Sequence, residues 1–140
     1  MDRLPLERFK TAHNKHYETA LREIRAGQKT SHWIWAIFPQ MQGLGYSMDS
    51  WYYGIQDRKE AEDFMADELL SSHLREISKE LLKLDGPIWQ IVGYPDDLKI
   101  CSSMTLFYMV SGDALFQNVL NKFYNGQMDS VTQRILSSRN

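Results

Sequence analysis

The spacing of large side chains near the start of the chain is the feature that most constrains its fold. After Leu6 these side chains recur at steps of three or four residues, at Phe9, His13, Tyr17, Leu21 and Ile24. This spacing places them on one face of an α-helix. Pro5 suits the first turn of such a helix, and Gly27 suits its end. We therefore predict an amphipathic helix between Pro5 and Gly27.

The rest of the chain also shows helical spacing, and no clear alternation of apolar and polar residues predicts a β-strand. The stretch TLFYMV fits a buried strand as well, but the length of segment 94–110 favours a helix. Further helices are predicted at 32–38, 48–53, 57–66, 74–84, 87–92, 113–124 and from 129 onwards. The pattern predicts an all-α fold, a single domain over 1–140 with about eight short to medium helices.

Charge and cysteine content exclude several classes of function. Sixteen Lys and Arg oppose eighteen Asp and Glu, with the signs interspersed, which disfavours a nucleic-acid polymer as partner. Cys101 is the single cysteine, so an internal disulfide and a cysteine zinc site are excluded. No apolar run approaches the roughly 20 residues that span a bilayer, and the N-terminus lacks the apolar stretch of a signal peptide. We predict a cytoplasmic protein with no membrane partner.

The segment GQKTSHWIWAIFPQMQGLG, residues 27–45, concentrates polar and aromatic side chains. Lys29 and Ser31 precede the predicted helix 32–38, and Ser31 is placed to cap it. Free amide groups and the positive end of the helix dipole attract anions at such a position. The segment lacks the glycines and the preceding strand of a phosphate-binding P-loop. The alternative is an ordinary Ser31 cap beside a solvated lysine.

His32, Trp33 and Trp35 cannot all face one core, because adjacent helical side chains diverge by about 100°. If Trp33 is buried, His32 and Trp35 lie near one another and can face a planar ligand. His32 then suits a general acid or base, since an ordinary histidine has a pKa of about 6.5. Gln40, on a loop held by Pro39, can bind the edge of a base or sugar. The alternative buries the tryptophans and leaves His32 bonded to a backbone carbonyl.

A second polar group lies in the predicted helix 94–110. Lys99, Ser102 and Ser103 follow at steps of three and four residues, which places an ammonium and two hydroxyls on one helix face. Such a face can bind an anion. The alternative is that small serines permit close helix packing and bond to carbonyls one turn earlier.

Other reactive side chains give weaker signals. Cys101 is interpreted as a buried thiol rather than a nucleophile. His13 and His16 stand three residues apart without further ligands at a fixed spacing, so no metal site is predicted. His73 is expected on the surface.

Three stretches, GQKTSHWIWAIFPQMQGLGYS, YYGI at 52–55 and PDDLKICSSMTLF at 95–107, resemble a widespread bacterial family of uncharacterised domains. Its members often carry the label calpastatin, without the repeats of that inhibitor. The resemblance covers nearly the whole chain and implies a compact, mostly helical domain, but no particular reaction. Related sequences often have arginine at the positions of Gln28 and Cys101. These departures remove one cation from the supposed anion site and argue against a cysteine nucleophile.

These patterns predict a domain that binds an anionic small molecule, nucleotide-like or phosphorylated, and that is a hydrolase or transferase if it is an enzyme. His32 is the candidate acid or base. The candidate ligand-binding residues are Lys29, Ser31, Trp35, Gln40, Tyr53, Lys99, Ser102 and Ser103. No cofactor is predicted. The alternative function is a noncatalytic helical module whose exposed aromatic cluster binds a partner protein.

Overall fold

Nine α-helices make up most of the structure, a computed structural model that describes residues 3–139. In chain order they are α1 (Glu7–Arg25), α2 (Ile34–Ile37), α3 (Met48–Tyr52), α4 (Arg58–Ala66), α5 (Glu68–Leu82), α6 (Ile88–Val92), α7 (Asp96–Ser111), α8 (Ala114–Tyr124) and α9 (Ser130–Ser138). Within the described residues, the β-type contact is one isolated parallel bridge between Met41 and Ile55. The predicted all-α fold is confirmed.

Five of the helices in residues 3–139 begin at a side chain that caps their first turn, whereas the two longest, α1 and α7, have no such cap. Carboxylate or hydroxyl oxygens accept a hydrogen bond from a backbone N–H two or three residues later, which satisfies a donor that the helix itself leaves free. The capping residues are Ser47, Asp57, Asp67, Asp113 and Asp129. These caps set the first residue of each of these helices.

The predicted helix 32–38 is shorter than expected and starts later. It is the single turn α2, and Trp33 rather than Ser31 occupies its N-cap, without a capping side-chain bond. Ser31 instead donates its hydroxyl proton to the carboxylate of Glu23 on α1. The prediction of a Ser31 cap is therefore wrong, because a tertiary partner competes successfully for its hydroxyl.

Helix α7 lies at the centre of the fold, where it contacts α2, α4, α6, α8 and α9. Every side chain from Ser102 to Phe107 is buried. Near its start, Leu98 is exposed, whereas Ile100, Met104 and Phe107 are fully buried. A helix surrounded by neighbours has no single apolar stripe, so its spacing does not reveal an orientation.

The core is continuous across the helices that surround α7, and α1 packs along α5 on one side. Its largest fully buried side chains are aromatic: Trp33, Phe9, Phe38, Phe64, Phe107 and Phe116. Among the described residues, no helix combines the length and apolar character needed to cross a bilayer.

A buried ion pair between Arg8 and Glu60 fixes the loop that follows α3. The guanidinium donates to both carboxylate oxygens at 2.8 and 2.9 Å, and also to the carbonyls of Tyr52 and Gly54. Glu60 accepts further hydrogen bonds from the backbone and side-chain amides of Gln56. Both charges are thus matched in the interior, and moving the loop would break the hydrogen bonds that Arg8 donates to it.

We predict that Arg8→Met destabilises the fold by about 3–5 kcal/mol, because it leaves the Glu60 carboxylate buried without its cation. Urea unfolding measures the change. Lys59→Met, which breaks the exposed Lys59–Asp63 pair, is the matched control and should cost less than about 1 kcal/mol. Equal costs for the two variants would contradict the structural role of Arg8.

Candidate functional site

Two adjoining cavities lie between the α2–α3 region and the first half of α7. The inner recess has a volume of about 80 Å³, and the outer groove has a volume of about 540 Å³. Four residues line both and make them continuous: Gln40, Ser47, Ser50 and Lys99. The two polar segments of the sequence therefore meet in space.

An aromatic wall closes the inner recess. The rings of Trp35 and Tyr53 stack with centroids 4.4 Å apart and an angle of 28° between their planes. Arg8 holds the carbonyls on both sides of Tyr53, those of Tyr52 and Gly54, and so fixes its place in the loop. Gly54 is required there by close packing, since a Cβ atom would lie 2.6 Å from Cα of Gln42. The wall therefore rests on buried contacts of α1.

The polar lining combines one ammonium with carboxylates, hydroxyls and an amide. Lys99 lies in both cavities, its side chain about one-third exposed, with Nζ 3.7 Å from Oδ1 of Asp96. Asp49 lines the recess and Asp129 lines the groove. The Ser102 hydroxyl lies 3.2 Å from both the Leu98 carbonyl and Oδ2 of Asp129. This lining suits a ligand that has both an anionic group and hydroxyl donors.

Lys29 does not line these cavities. Its side chain is 6% exposed, and Nζ forms an ion pair with Oδ2 of Asp96 at 2.7 Å. The ammonium also lies 5.1 Å from the centroid of the Trp33 ring. Because Asp96 already neutralises this buried charge, the prediction that Lys29 holds a ligand anion is not supported.

The Glu23 carboxylate binds the segment in front of α2. Its Oε1 accepts from the backbone amides of Thr30 and Ser31 at 2.8 and 3.0 Å and from the Trp33 indole at 3.0 Å. Its Oε2 accepts from the Ser31 hydroxyl. Burial alone raises the pKa of Glu23, but the hydrogen bonds from Ser31, Thr30 and Trp33 outweigh it and hold the pKa at about 2. Ser31 therefore holds the fold rather than the cavity.

His32 and Ser103 are also outside the lining of both cavities. His32 is exposed in the bend held by Glu23, and the helix expected to aim it begins two residues later. Ser103 is fully buried, and its hydroxyl has no hydrogen-bond partner within residues 3–139. Adjacent helical side chains diverge, so Ser102 faces the groove and Ser103 does not.

Of the predicted ligand-binding residues, the structure brings five to the cavities: Trp35, Gln40, Tyr53, Lys99 and Ser102. The sequence interpretation missed Ser47, Asp49 and Ser50 of the α3 region. In the sequence, Ser47 is recognisable as a helix cap. A cap indicates where α3 begins but not which part of the fold its side chains face.

Neither a thiol nucleophile nor a metal centre emerges from the described residues. Burial raises the pKa of Cys101 to about 11, and the nearby Asp129 charge acts in the same direction. The thiol is therefore protonated near neutral pH and a poor nucleophile. Within residues 3–139, no three side chains of the metal-binding types are grouped to hold an ion.

The geometry defines an all-α domain with an aromatic-walled cavity beside its central helix. A family model described as "Protein of unknown function (DUF1810)" matches residues 3–136, and the chain belongs to this family. The conserved hypothetical protein Rv1873 from Mycobacterium tuberculosis has a crystal structure that is 39% identical in sequence, with a TM-score of 0.93. The match covers 97% of this chain and 99% of that one. No curated protein matches the chain.

Membership of an uncharacterised family, as the motifs indicated, is confirmed. The printed descriptions of the family and of the solved relative name no ligand or reaction. The calpastatin label has no support from them.

We predict that Glu23→Gln destabilises the fold by about 2–4 kcal/mol at pH 7, because an amide cannot accept all four hydrogen bonds. The pKa of Glu23 is about 2 when folded, below its ordinary value. Its stabilising effect is therefore present above about pH 4.5 and is lost as the pH falls towards 2.

Urea unfolding at pH 7, 4 and 2.5 measures how much stability Glu23→Gln loses at each pH. Glu18→Gln is the control, because it removes an exposed carboxylate from the same helix. The difference between wild type and Glu23→Gln should shrink on acidification. A difference that stays constant with pH would contradict an ionised Glu23 in the folded state.

Proposed function

We propose that this protein binds a nucleotide-like small molecule with one phosphate group in the continuous recess and groove. The observation that carries the proposal is that the stacked Trp35–Tyr53 pair and the Lys99 ammonium line the same recess. Aromatic faces bind planar rings, and an ammonium binds phosphate. We also propose a reducing, cytoplasmic setting, because Cys101 is the single cysteine.

The size of the cavities supports a small ligand. The outer groove, at about 540 Å³, falls within the range of roughly 300–1,000 Å³ that is typical of small-molecule sites. The inner recess, at about 80 Å³, accommodates only one end of such a molecule. A nucleoside-sized ligand therefore extends from the recess into the groove, with Gln40 and Ser50 beside the junction of the two.

The charge of the lining supports a single phosphate rather than a polyphosphate. Lys99 lines both cavities. Lys29 does not add a second cation there, because it is paired with Asp96 in the interior. Asp49 and Asp129 add negative charge. Carboxylates accept hydrogen bonds from sugar hydroxyls, as in dinucleotide sites. A phosphate near Lys99 and hydroxyls near Asp49 thus match the lining.

The lining residues account for binding of a ligand, and catalysis has a separate requirement. The candidate acid or base, His32, is exposed and does not line the cavities. Hydrolase or transferase chemistry at this site would need a proton acceptor among the lining residues, and Asp49 is the carboxylate in the recess. His32→Ala should consequently leave ligand affinity unchanged.

The alternative is a noncatalytic interaction module, and one observation favours it. Tyr46, Met48, Trp51 and Tyr52 are exposed along α3 and the turn before it. Trp33 and Trp35 are not part of this surface, because Trp33 is fully buried and Trp35 lines the recess. A partner protein would therefore contact α3 and the turn before it.

We predict that adenosine monophosphate binds more tightly than adenosine, and that Lys99→Met lowers its affinity at least tenfold. A hydrogen bond to a charged group contributes about 1.5–3 kcal/mol, and each 1.4 kcal/mol is a factor of ten in affinity. Isothermal calorimetry measures both effects. Lys83→Met, at a lysine that is 68% exposed and paired with Glu80, is the control and should leave affinity unchanged.

Thermal-shift measurements with nucleotides, ADP-ribose and sugar phosphates extend the test to related ligands, since binding raises the unfolding temperature by mass action. Absence of a shift with every class would overturn the proposal and favour the interaction module. An equal loss of affinity in Lys83→Met would show that general charge, not the cavity, attracts the nucleotide.

A further inference from the structure

Two histidines outside the motif segments, on different helices, form a hydrogen bond. Nδ1 of His13 on α1 lies 3.0 Å from Nδ1 of His73 on α5. The ring planes are parallel, at 0°, and the centroids are 5.2 Å apart. Parallel rings that meet nitrogen to nitrogen at this centroid distance lie end to end rather than face to face. His73 is half-buried and faces a surface groove.

The carbonyl of Ala36 on α2 determines which nitrogens carry protons. Nε2 of His13 lies 2.9 Å from that oxygen, and a carbonyl only accepts, so Nε2 carries the proton. Nδ1 of neutral His13 is then an acceptor. Nδ1 of His73 must therefore be the donor.

This assignment leaves Nε2 of His73 as an unprotonated nitrogen. Within residues 3–139 no protein atom forms a hydrogen bond with it. It is also not a buried atom, so it is open to solvent. A surface groove of about 510 Å³ lies beside the pair and is lined by both histidines. A proton can thus reach His73 Nε2 directly.

The hydrogen bond can accommodate one added proton but not two. The first binds to Nε2 of His73 and leaves the contact between the two Nδ1 atoms intact. The second would place a proton on each Nδ1, and two N–H groups would face each other across 3.0 Å. Such a pair repels and has no acceptor.

We propose that the His13–His73 hydrogen bond is a single-proton latch between α1 and α5, which opens at acid pH when both rings become charged. Ala36, whose carbonyl accepts from His13, lies within α2 next to Trp35. Charged His13 keeps its Nε2–H and with it the bond to Ala36, so the latch acts between α1 and α5.

The groups around the pair come from each neighbouring element. Tyr17 of α1 stacks on His73 with centroids 3.6 Å apart, and its hydroxyl donates to Glu76 of α5. Glu18 of α1 and Glu76 line the adjoining groove. Burial lowers the pKa of His73, and the Glu76 charge opposes this and favours the first proton, at the solvent side of the pair.

The remaining neighbours lie on the side of His13. The rings of Phe64 on α4 and His13 meet edge to face, with centroids 6.2 Å apart. On α2, the Ala36 carbonyl accepts from His13. Asp67, between α4 and α5, favours a charged His13 but is itself paired with Lys10 of α1. Burial outweighs the Ala36 bond and Asp67, and lowers the pKa of His13 to about 4. The second proton is therefore excluded near neutral pH.

Because folding lowers the pKa of His13, the fold becomes less stable as the pH falls. The pKa of His13 is about 4 when folded and about 6.5 when unfolded. Between these values the unfolded chain binds more protons, so stability is full above pH 6.5 and is lost as the pH falls towards 4. Burial also lowers the pKa of His16 and His73, which adds to the same trend.

We predict that the unfolding constant of the wild type rises severalfold, and at most about tenfold per excluded proton, for each pH unit from 6.5 to 5. His73→Gln should flatten this dependence, because a glutamine amide can present either its N–H or its oxygen to His13. His32→Gln removes an exposed histidine that lies outside the pair and should keep the wild-type slope. Urea unfolding between pH 7.5 and 5 measures all three proteins, above the range in which most carboxylates titrate.

Nitrogen-15 NMR of the histidine rings shows which ring nitrogens carry protons, which a stability measurement does not. At pH 8 we expect the proton on Nε2 of His13 and on Nδ1 of His73. An unchanged slope in His73→Gln, or a His73 ring protonated only on Nε2 at pH 8, would overturn the latch. The expected tautomers together with a flattened slope would support it.

Discussion

The arrangement of the motif segment depends on the carboxylate of Glu23. One side chain of α1 binds two backbone amides, a hydroxyl and an indole from residues 30–33. These contacts hold the segment in a bend and delay the start of α2 until Ile34. As a result Trp33 is directed into the core and Trp35 towards the recess. A neutral side chain at position 23 would leave several of these donors buried without an acceptor.

Two other acidic residues also hold structural partners, one at each end of the site. Glu60 holds Arg8, which in turn fixes the backbone around Tyr53. Asp96 at the start of α7 pairs with buried Lys29 and lies near Lys99. Much of the polar chemistry in the motifs is therefore structural. What remains for a ligand is the set of side chains that these contacts leave facing the cavity: Trp35, Gln40, Tyr53 and Lys99.

The sequence predicts the helices well, because local signals determine them. The spacing from Phe9 to Ile24 and the caps at Asp57 and Asp129 need no knowledge of distant contacts. Side-chain roles are harder, because they depend on partners far along the chain. Ser31 is a good cap by local chemistry, but Glu23 binds it. Lys29 looks solvated, yet Asp96 lies 67 residues later and buries it in an ion pair. Likewise, no local pattern pairs His13 with His73.

The central claim is that the motif separates into residues that hold the fold and residues that face a ligand. The indole N–H signals in a nitrogen-15 NMR titration with adenosine monophosphate test it most directly, because Trp33 bonds to Glu23 while Trp35 lines the recess. We predict that the Trp35 signal shifts on titration, whereas those of Trp33 and of exposed Trp89 stay in place. A stationary Trp35 signal, or equal shifts at Trp33 and Trp89, would contradict the account.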